Sequence, residues 1–544
     1  MRAAMAVIGL YLTVSLALPL YALLLKSFQR KDGSWAGLAN FVQYFTTPSL
    51  SQSILNSLFI ALVSTVITVA LAFGLAYALT RSCMPGKGLV KTIALIPILV
   101  PSLLPGIALI YLFGNQGWLK GWLFGANLYG PLGIVIAEVF YCLPHALLIL
   151  TTALSLADAR LYEAAIALRA SPARIFWTVI LPGARYGLIS AAFVVFTLVI
   201  TDFGAPKVIG GQYNVLAVDI YKQVIGQQNF EMGAVVGMLL LIPAVLAFAV
   251  DRAVQRRQVA LLSARAVPYA PQPKPLRDWS LCAFCALVAV FILGILGMCQ
   301  FAALVKLWPY NLSLSLKNYN FDLMDGGGRA SYWNSLQLGG WTAVLGTAVI
   351  FVGAYLVEKG RGFPLGRALF QFLAMLPMAV PGMVLGLAYI FFFNHPDNPL
   401  NGLYGTLAIL VIVTVSHFYT VAHLTALTAL KQMDPEFEAV SASLKQPVLK
   451  MFVRVTVPVC LPAILDIAIY LFVNAMTTVS AVVFLYSPDT TLASVAVLNM
   501  DDAGDIAPAA AMGMLIFYTN ALVKLGHGGL AHLLERRLQA WRRR

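Results

Sequence analysis

The sequence NSLFIALVSTVITVALAFGLAYAL, residues 56–79, contains no charged side chain and is long enough to cross a bilayer as one α-helix. A second stretch, NSLQLGGWTAVLGTAVIFVGAYLV at residues 334–357, has the same length, the same Asn-Ser-Leu start and the same Ala-Tyr pair. The first stretch predicts a membrane-spanning helix, and its recurrence indicates that the chain contains an internal repeat.

Further apolar runs of similar length bring the number of predicted spans to about twelve. A polar stretch with several prolines, residues 251–278, separates the sixth run from the seventh. The fold class predicted from this pattern is an all-α integral membrane protein. The other runs lie near residues 4–26, 91–114, 131–155, 184–203, 231–250, 279–307, 367–394, 402–427, 459–483 and 507–526.

The composition excludes an ordinary soluble protein. Hydrophobic residues make up 60% of the 544 residues and charged residues only 11%, with a mean hydropathy of +0.83, whereas soluble chains carry about 25% charged residues. The net charge of +14 fits the excess of Lys and Arg on the cytoplasmic side of membrane proteins. No soluble basic domain is apparent, so we expect no nucleic-acid partner.

Sequence markers repeat at a nearly constant separation along the two halves. Pro97, Pro101 and Gly106 recur as Pro377, Pro381 and Gly386, His145 recurs as His423, and Pro182 recurs as Pro458. An even number of spans returns the chain to the same side, so the two six-helix repeats are parallel, with a pathway expected where they meet. We predict a first repeat at 1–250, a cytoplasmic linker at 251–278, a second repeat at 279–527 and a basic cytoplasmic tail at 528–544.

The distribution of basic residues predicts the orientation. If the N-terminus is cytoplasmic, most of the 36 Lys and Arg residues fall in cytoplasmic segments, as the positive-inside rule requires. Both termini are therefore predicted to be cytoplasmic.

Two segments on this predicted cytoplasmic side are patterned as short amphipathic helices. The first, residues 158–182, has apolar positions at roughly helical spacing and ends at Pro182, just before the next span. On its residues alone, it is either a docking element for a partner or a plain connector.

This segment resembles the signature of permease subunits of binding-protein-dependent ABC importers: E-A-A, three residues, G, nine residues, an apolar residue, one more, then L-P. The matching residues are Glu163, Ala164, Ala165, Val179, Leu181 and Pro182. The second copy is weaker, with Glu438 one place early, Ala439 at the glutamate position and Pro458 as the closing proline. The resemblance implies a type I ABC importer permease whose two segments dock on a cytoplasmic ATPase homodimer.

Both copies depart from the signature at its glycine, where Arg169 and Lys445 stand. A glycine there permits a positive φ, which other residues adopt only at a cost. Two interpretations stay open: the local turn differs from that of the family, or the two cations face an acidic ATPase surface.

The chain contains no GxxxxGK[ST] sequence, the loop that cradles ATP phosphates. The resemblance therefore implies a transport subunit that is not an enzyme, binds no cofactor or metal, and depends on a separate ATPase. It also implies a periplasmic substrate-binding protein as partner and a place in the bacterial inner membrane.

At finer grain, the whole chain resembles the fused permeases of the iron(III), thiamine and phosphonate importer group. Residues 81–88, 198–211 and 219–228 resemble 2-aminoethylphosphonate permeases, which suggests that cargo, with iron(III) as the alternative. Neither composition nor spacing decides between them.

Polar residues within or next to the spans are candidates for the translocation pathway, because charge in hydrocarbon is costly. Each has a structural alternative: a hydrogen bond between helices for Glu138, packing for the histidines, and an ion pair between Asp202 and Lys207. The candidates are Glu138, His145, Asp202, Lys207, His417 and His423.

Two other classes of membrane protein fit this pattern less well. A twelve-helix secondary transporter predicts a charged signature between its second and third spans, whereas the patterned segment here follows the fourth. A membrane-embedded enzyme would need clustered ligands or acids, and the six histidines show no ligand spacing.

Overall fold

The computed structural model describes residues 2–155, 159–261, 269–324, 326–360, 362–434 and 436–538. Nearly all regular structure in these residues is helical. The helices of the first half are α1 Arg2–Leu12, α2 Leu18–Ser27, α3 Ala39–Thr46, α4 Pro48–Arg81, α5 Lys87–Leu95, α6 Leu103–Phe113, α7 Pro131–Ser155, α8 Ala159–Ala167, α9 Pro172–Ile175, α10 Leu181–Thr201, α11 Gly204–Ile209, α12 Leu216–Tyr221 and α13 Phe230–Leu261.

The second half repeats this order of long and short helices. A short antiparallel hairpin, β1 Val305–Leu307 with β2 Asn311–Leu314, follows its first helix. The helices are α14 Pro275–Leu304, α15 Gly328–Trp341, α16 Thr347–Lys359, α17 Pro364–Met375, α18 Gly382–Phe393, α19 Leu407–His417, α20 Tyr419–Lys431, α21 Glu436–Ser443, α22 Val448–Met451, α23 Val457–Val459, α24 Leu461–Thr477, α25 Ala493–Asp502 and α26 Ile506–Leu538.

Among the described residues, eight helices are long and apolar enough to cross a membrane, and four bent pairs bring the number to 12 if each pair is one span. Several spans continue through a π-helical turn, such as Thr13–Ala17 between α1 and α2. The all-α membrane fold with about twelve spans is confirmed.

The third and ninth predicted runs are bent pairs. Helices α5 and α6 meet at 105°, and α17 and α18 meet at 115°. Val100 and Val380 are extended at these points (ψ 135° and 115°), because a residue before proline disfavours the helical region. Pro101 and Pro381 therefore break each run into two helices.

Other helix bounds differ from the predicted runs. Helix α4 begins at Pro48, α13 continues to Leu261 inside the predicted linker, and α26 continues to Leu538 inside the predicted tail. The tenth run bends by 56° between α19 and α20, and the eleventh by 75° before α24. Residues 262–268 of the linker and 539–544 of the tail lie outside the described residues.

The chain forms two compact units that do not coincide with the two sequence halves. One unit is Ala39–Asn318, and the other is Met1–Leu38 together with Tyr319–Arg544. In the first unit, α14 packs against α4, α5 and α6, and Cys299 Sγ lies 3.4 Å from the Leu104 carbonyl oxygen. In the second, α1 and α2 pack against α16, α17 and α18, and Tyr11 Oη lies 3.0 Å from Ser416 Oγ. The first helix of each repeat thus belongs to the unit built by the other repeat.

The repeat is visible in equivalent hydrogen bonds. Asn56 Nδ2 donates to the Asn214 carbonyl (2.9 Å), and the Leu216 amide donates to Ser57 Oγ (2.8 Å). In the second half, Asn334 Nδ2 donates to the Thr491 carbonyl (3.0 Å) and the Ala493 amide to Ser335 Oγ (2.7 Å). The Asn-Ser pair at the start of each predicted second span therefore fixes the segment before α12 or α25.

Each half also contains a close crossing between a serine and a glycine. A Cβ on Gly204 would lie 2.2 Å from Ser102 Oγ, and a Cβ on Gly382 would lie 2.3 Å from Ser480 Oγ. In the first half the serine comes before the glycine in the sequence, and in the second half the order is reversed. Neither crossing leaves room for a second side chain.

Candidate functional site

The first signature segment forms a helix, a tight turn and a second short helix. Helix α8 ends in a pair of bonds that close a left-handed turn: the Arg169 amide donates to the Ile166 carbonyl (2.8 Å) and the Ala170 amide to the Ala165 carbonyl (3.0 Å). This is the Schellman pattern of helix C-termini. Ser171 then caps α9 by accepting from the Arg174 amide at 3.3 Å.

The second signature segment has the same shape. Helix α21 closes through the bond from the Gln446 amide to the Ser441 carbonyl at 3.0 Å, and Pro447 precedes α22. The structure therefore builds equivalent turns from two sequences that share few residues.

The turn itself answers one of the two interpretations of Arg169 and Lys445. Their φ angles are 52° and 50°, which is the left-handed region that glycine adopts freely. The expectation that the local turn differs from a glycine turn is wrong, because the helix end needs the left-handed residue to close its carbonyl bonds. The interpretation as cations for an acidic surface stays a prediction.

Both segments expose apolar side chains on the surface of the protein. Glu163 and Ala164 are exposed and Ala165 is half-buried, and Leu168 at the end of the first segment is 82% exposed. The second segment borders a cavity of about 490 Å³ whose lining includes Phe437, Val440 and Leu444. Exposed apolar groups at the tips of short helices are typical of docking surfaces.

Each signature proline lies just beyond a π-helical turn. The turn at Phe176–Ile180 precedes Pro182, and the turn at Phe452–Thr456 precedes Pro458. A proline lacks the amide hydrogen and its ring crowds the preceding turn, so the helix widens there. The leucine before Pro182 and the valine before Pro458 follow these turns directly.

An aromatic contact joins each π-turn to the preceding long span. The Phe176 ring lies 6.0 Å from Phe73 and 6.4 Å from Tyr77. In the second half, Phe452 lies 6.0 Å from Phe351 and 4.7 Å from Tyr355. These edge-on and tilted pairs hold the signature segment against α4 or α16.

A second tie links the end of α4 to α8. The Arg81 guanidinium lies 4.5 Å from the centre of the Tyr269 ring, and the Tyr269 and Tyr162 rings are 4.6 Å apart. Burial raises the pKa of the Tyr269 phenol above its ordinary value, so the ring stays neutral beside the cation. Residues of the inter-repeat linker thus form part of this site.

The equivalent tie in the second half is an ion pair. Lys359, at the end of α16, lies 2.5 Å from the Glu438 carboxylate of α21. Glu438 is therefore held by a partner within the chain, whereas Glu163 is exposed.

Sequence reasoning missed the residues that hold the two segments in place. Alignment of the repeats contains a signal for some of them, because Arg81 and Phe73 recur as Lys359 and Phe351 at the same separation as the other markers. No such signal marks Tyr269, which has its contact only through the folded linker.

The pathway candidates do not form one cluster. Glu138 is fully buried in α7, where its carboxyl interacts with that of Asp202 and lies 3.9 Å from Cys142 Sγ. Asp202 also accepts a hydrogen bond from the Ala205 amide (2.9 Å), and Lys207 lies 5.3 Å from the Tyr221 ring. The contact between the two carboxyl groups agrees with a hydrogen bond between helices for Glu138, whereas the ion pair between Asp202 and Lys207 stays a prediction.

The histidines lie among aromatic rings. The centre of the His145 ring lies 6.0 Å from that of Tyr141, and the centre of the His417 ring lies 4.6 Å from that of Phe418. His423 is fully buried and bonds to Gln371 at 3.2 Å. This environment favours packing, and the part of the chain that the structure describes holds no group of three metal-ligating side chains.

Asp219 lies in α12, in the segment between the long helices α10 and α13. Its side chain is 3% exposed. Burial raises the pKa of Asp219 to about 6, although Ser53 and Lys222 act in the opposite direction.

Comparison with known proteins agrees with the duplicated architecture. The family model for the "Binding-protein-dependent transport system inner membrane component" matches residues 70–259 and 350–538, one segment in each half. The ferric transport system permease protein FbpB of Actinobacillus pleuropneumoniae is 31% identical over 482 residues, covering 86% of this chain and 69% of that protein. A ferric transport permease from Haemophilus influenzae, named as putative FbpB 1, is 30% identical over 474 residues, covering 84% and 74%.

A shorter relative matches about half of the chain. The probable sulfate transport system permease protein cysT of Nephroselmis olivacea is 27% identical over 249 residues, covering 44% of this chain and 86% of that protein. The family match spans both halves, including the two signature segments and the parts of α4 and α16 that contact them. The chain therefore belongs to the family of inner membrane components of binding-protein-dependent transport systems.

Proposed function

We propose that this chain is the permease subunit of an ATP-driven ABC importer and that α8–α9 and α21–α22 are its two coupling segments. The observation that carries this function is the pair of equivalent helix–turn–helix segments with exposed apolar tips. Each is fixed to a long span by aromatic contacts. A load applied at either tip passes to α4 or α16 through these contacts.

The proposed partners are a homodimer of cytoplasmic ATPase subunits and a periplasmic substrate-binding protein. The family name supports dependence on a binding protein, and the Lys/Arg distribution supports cytoplasmic termini. ATP binding closes the ATPase pair, the coupling segments transmit the closure, and the spans open outward to accept the cargo. Hydrolysis resets the inward-facing state, while the chain itself performs no ATP chemistry.

An exchange of one exposed side chain tests the docking surface. Leu168→Asp places a charge at the most exposed apolar position of the first segment, where it would be desolvated against the ATPase. We expect at least about a ten-fold loss of ATPase association, measured by co-purification and titration of ATPase subunits in detergent. Phe124→Asp, at an apolar residue that is even more exposed and lies in the loop before α7, is the matched control.

Replacement of residues 164–171 by glycine and serine is the stronger form of this test. Membrane insertion should persist because the spans are unchanged, whereas the intact complex should not co-purify. Recovery of the complete complex with this replacement would contradict the proposed function.

Two cargoes are candidates, each with its own support. 2-Aminoethylphosphonate rests on the resemblance of residues 81–88, 198–211 and 219–228, and the relatives reported above do not carry that name. Iron(III) is favoured by the ferric transport permeases, the relatives that match most of the chain. The cargo is decided by which compound binds the partner binding protein and is taken up by vesicles that contain the complete importer.

A further inference from the structure

Each half ties the end of its second span to its coupling segment through a basic residue at the same repeat position. These residues are Arg81 at the end of α4 and Lys359 at the end of α16. Two positions of the coupling segments also correspond, since Tyr162 and Glu438 stand equally far before the signature prolines Pro182 and Pro458. The same mechanical connection is therefore present twice, built from different chemistry.

In the second half the connection is direct. The Lys359 ammonium lies 2.5 Å from the Glu438 carboxylate, with the two side chains 13% and 25% exposed. Partial burial reduces the screening of this pair by water and salt. It therefore holds α21 to α16 without help from another segment.

In the first half the corresponding position, Tyr162, carries no charge, so Arg81 cannot form such a pair. Tyr269 of the inter-repeat linker lies between them, with its ring 4.5 Å from the Arg81 guanidinium and 4.6 Å from the Tyr162 ring. A cation over a ring and an edge-on ring pair are both attractive. The linker ring thus supplies the contact that α8 lacks.

The linker around Tyr269 is itself fixed to the turn after α4. Cys83 Sγ donates to the Pro271 carbonyl (3.2 Å), and the Asp278 carboxylate accepts from the Cys83 amide (3.2 Å) and the Lys274 amide (2.9 Å). Arg81 is held as well, because it donates to the Leu154 carbonyl at 2.8 Å. The linker just after Tyr269 is therefore hydrogen-bonded to the turn that follows α4.

We propose that Tyr269 is a positioning residue for energy coupling, which clamps α8 to the end of α4 as the Lys359–Glu438 pair clamps α21 to α16. The inference rests on the proposed function, since it assigns a role within the coupling segments. The linker then contributes directly to the function of the first coupling segment.

Removal of the ring tests the clamp. In vesicles that hold the complete importer and receive either 2-aminoethylphosphonate or iron(III) with the binding protein, Tyr269→Ala should lower cargo uptake per ATP hydrolysed by at least about five-fold. Tyr269→Phe keeps the ring contacts, loses only the hydroxyl that bonds to Tyr162, and should retain most of the ratio. Hydrogen exchange of the α8 backbone, which needs no cargo, should rise about ten-fold in Tyr269→Ala alone.

The decisive variant transfers the chemistry of the second half to the first. Tyr162→Glu in the Tyr269→Ala background allows Arg81 to pair directly with α8 and should restore both the uptake ratio and the slow exchange. A role of Tyr269 limited to folding of the linker would not be rescued in this way. Unchanged coupling and exchange in Tyr269→Ala, or failure of the rescue in a chain with native thermal stability, would overturn the proposal.

Failure of the clamp is distinguishable from failure of the proposed function. The docking tips are untouched in these variants, so the ATPase should co-purify with all of them. Loss of coupling in Tyr269→Ala with normal ATPase association supports the clamp. Normal association after replacement of residues 164–171 contradicts the proposed function.

Discussion

Arg169 and Lys445 adopt a backbone conformation that their side chains disfavour. A left-handed φ costs a residue with a Cβ about 1–2 kcal/mol relative to the right-handed region. Both halves retain it, with φ of 52° and 50°, since the helix-ending hydrogen bonds require it. The strain is localised at the tips that we propose contact the ATPase.

Glycine at either tip should relieve this strain. Arg169→Gly or Lys445→Gly should raise the free energy of unfolding by up to about 1 kcal/mol, because the relief exceeds the entropy cost of glycine. Thermal unfolding in detergent measures the effect.

Gln228→Gly is the matched control, since Gln228 has a φ of 50° outside the coupling segments. If the cations serve an acidic ATPase surface, the two tip variants weaken ATPase association and Gln228→Gly does not. Equal association in all three variants would leave the charges without that role.

Asp219 makes stability depend on pH. Its pKa is raised from 3.8 to about 6 by burial, so the folded state binds the proton more tightly than the unfolded chain. The free energy of unfolding should therefore fall as pH rises from about 4 to 6, by up to about 3 kcal/mol. Asp219→Asn should abolish this slope in thermal unfolding measured across that range, and an unchanged slope would assign it to other groups.

At the scale of the helix, proline and glycine decide where the spans bend and cross. The bends at Pro101 and Pro381 follow from the extended residues before them, and the crossings at Gly204 and Gly382 follow from the space that a Cβ would occupy. The two crossings carry the same pair of residue types in opposite order.

An exchange of the pair at the first crossing tests this complementarity. Gly204→Ser alone places two side chains where one fits and should cost about 1–3 kcal/mol of stability by overpacking. Ser102→Gly combined with Gly204→Ser reproduces the order of the second half and should recover most of that loss. Thermal unfolding of the single and double variants provides the measurement, and additive losses would contradict the inferred contact.

Hydropathy predicted the elements because the apolar length of a run depends on residues close together in the sequence, and the repeat markers predicted that the elements recur in the second half. The run at 91–114 is predicted as one span although it contains Pro101. A hydropathy profile shows how long an apolar run is, but it does not show that the helix bends within it. The signature predicted where the coupling segments lie. The contacts of Tyr269 with Arg81 and Tyr162 could not be predicted, because they join three distant segments through the folded linker.

At the scale of the whole molecule, the compact units cross the boundaries of the repeats. Helix α14 packs within Ala39–Asn318, and α1–α2 pack within the other unit. Composition and periodicity predict that each first helix spans the membrane. They do not reveal which unit it joins, since both depend only on the residues of the helix itself.

Division of the chain within the linker tests this exchange. Fragments 2–261 and 269–538, expressed together, should assemble and co-purify, because each contributes its first helix to the unit formed by the other. Fragment 2–261 alone lacks α14. The surfaces at Gly74 and Leu104 that α14 covers are then exposed, and the fragment should be degraded in the membrane. Stable accumulation of that fragment by itself would contradict the exchange.

The exchanged first helices also constrain how such a chain can evolve. Each unit contains a helix encoded by the other half. Loss of one half, or its replacement by a foreign copy, would therefore remove a packed helix from the unit that the remaining half forms. The halves can still diverge within their coupling segments, as Tyr162 and Glu438 have. Joining both on one polypeptide guarantees that every molecule inherits a matched set.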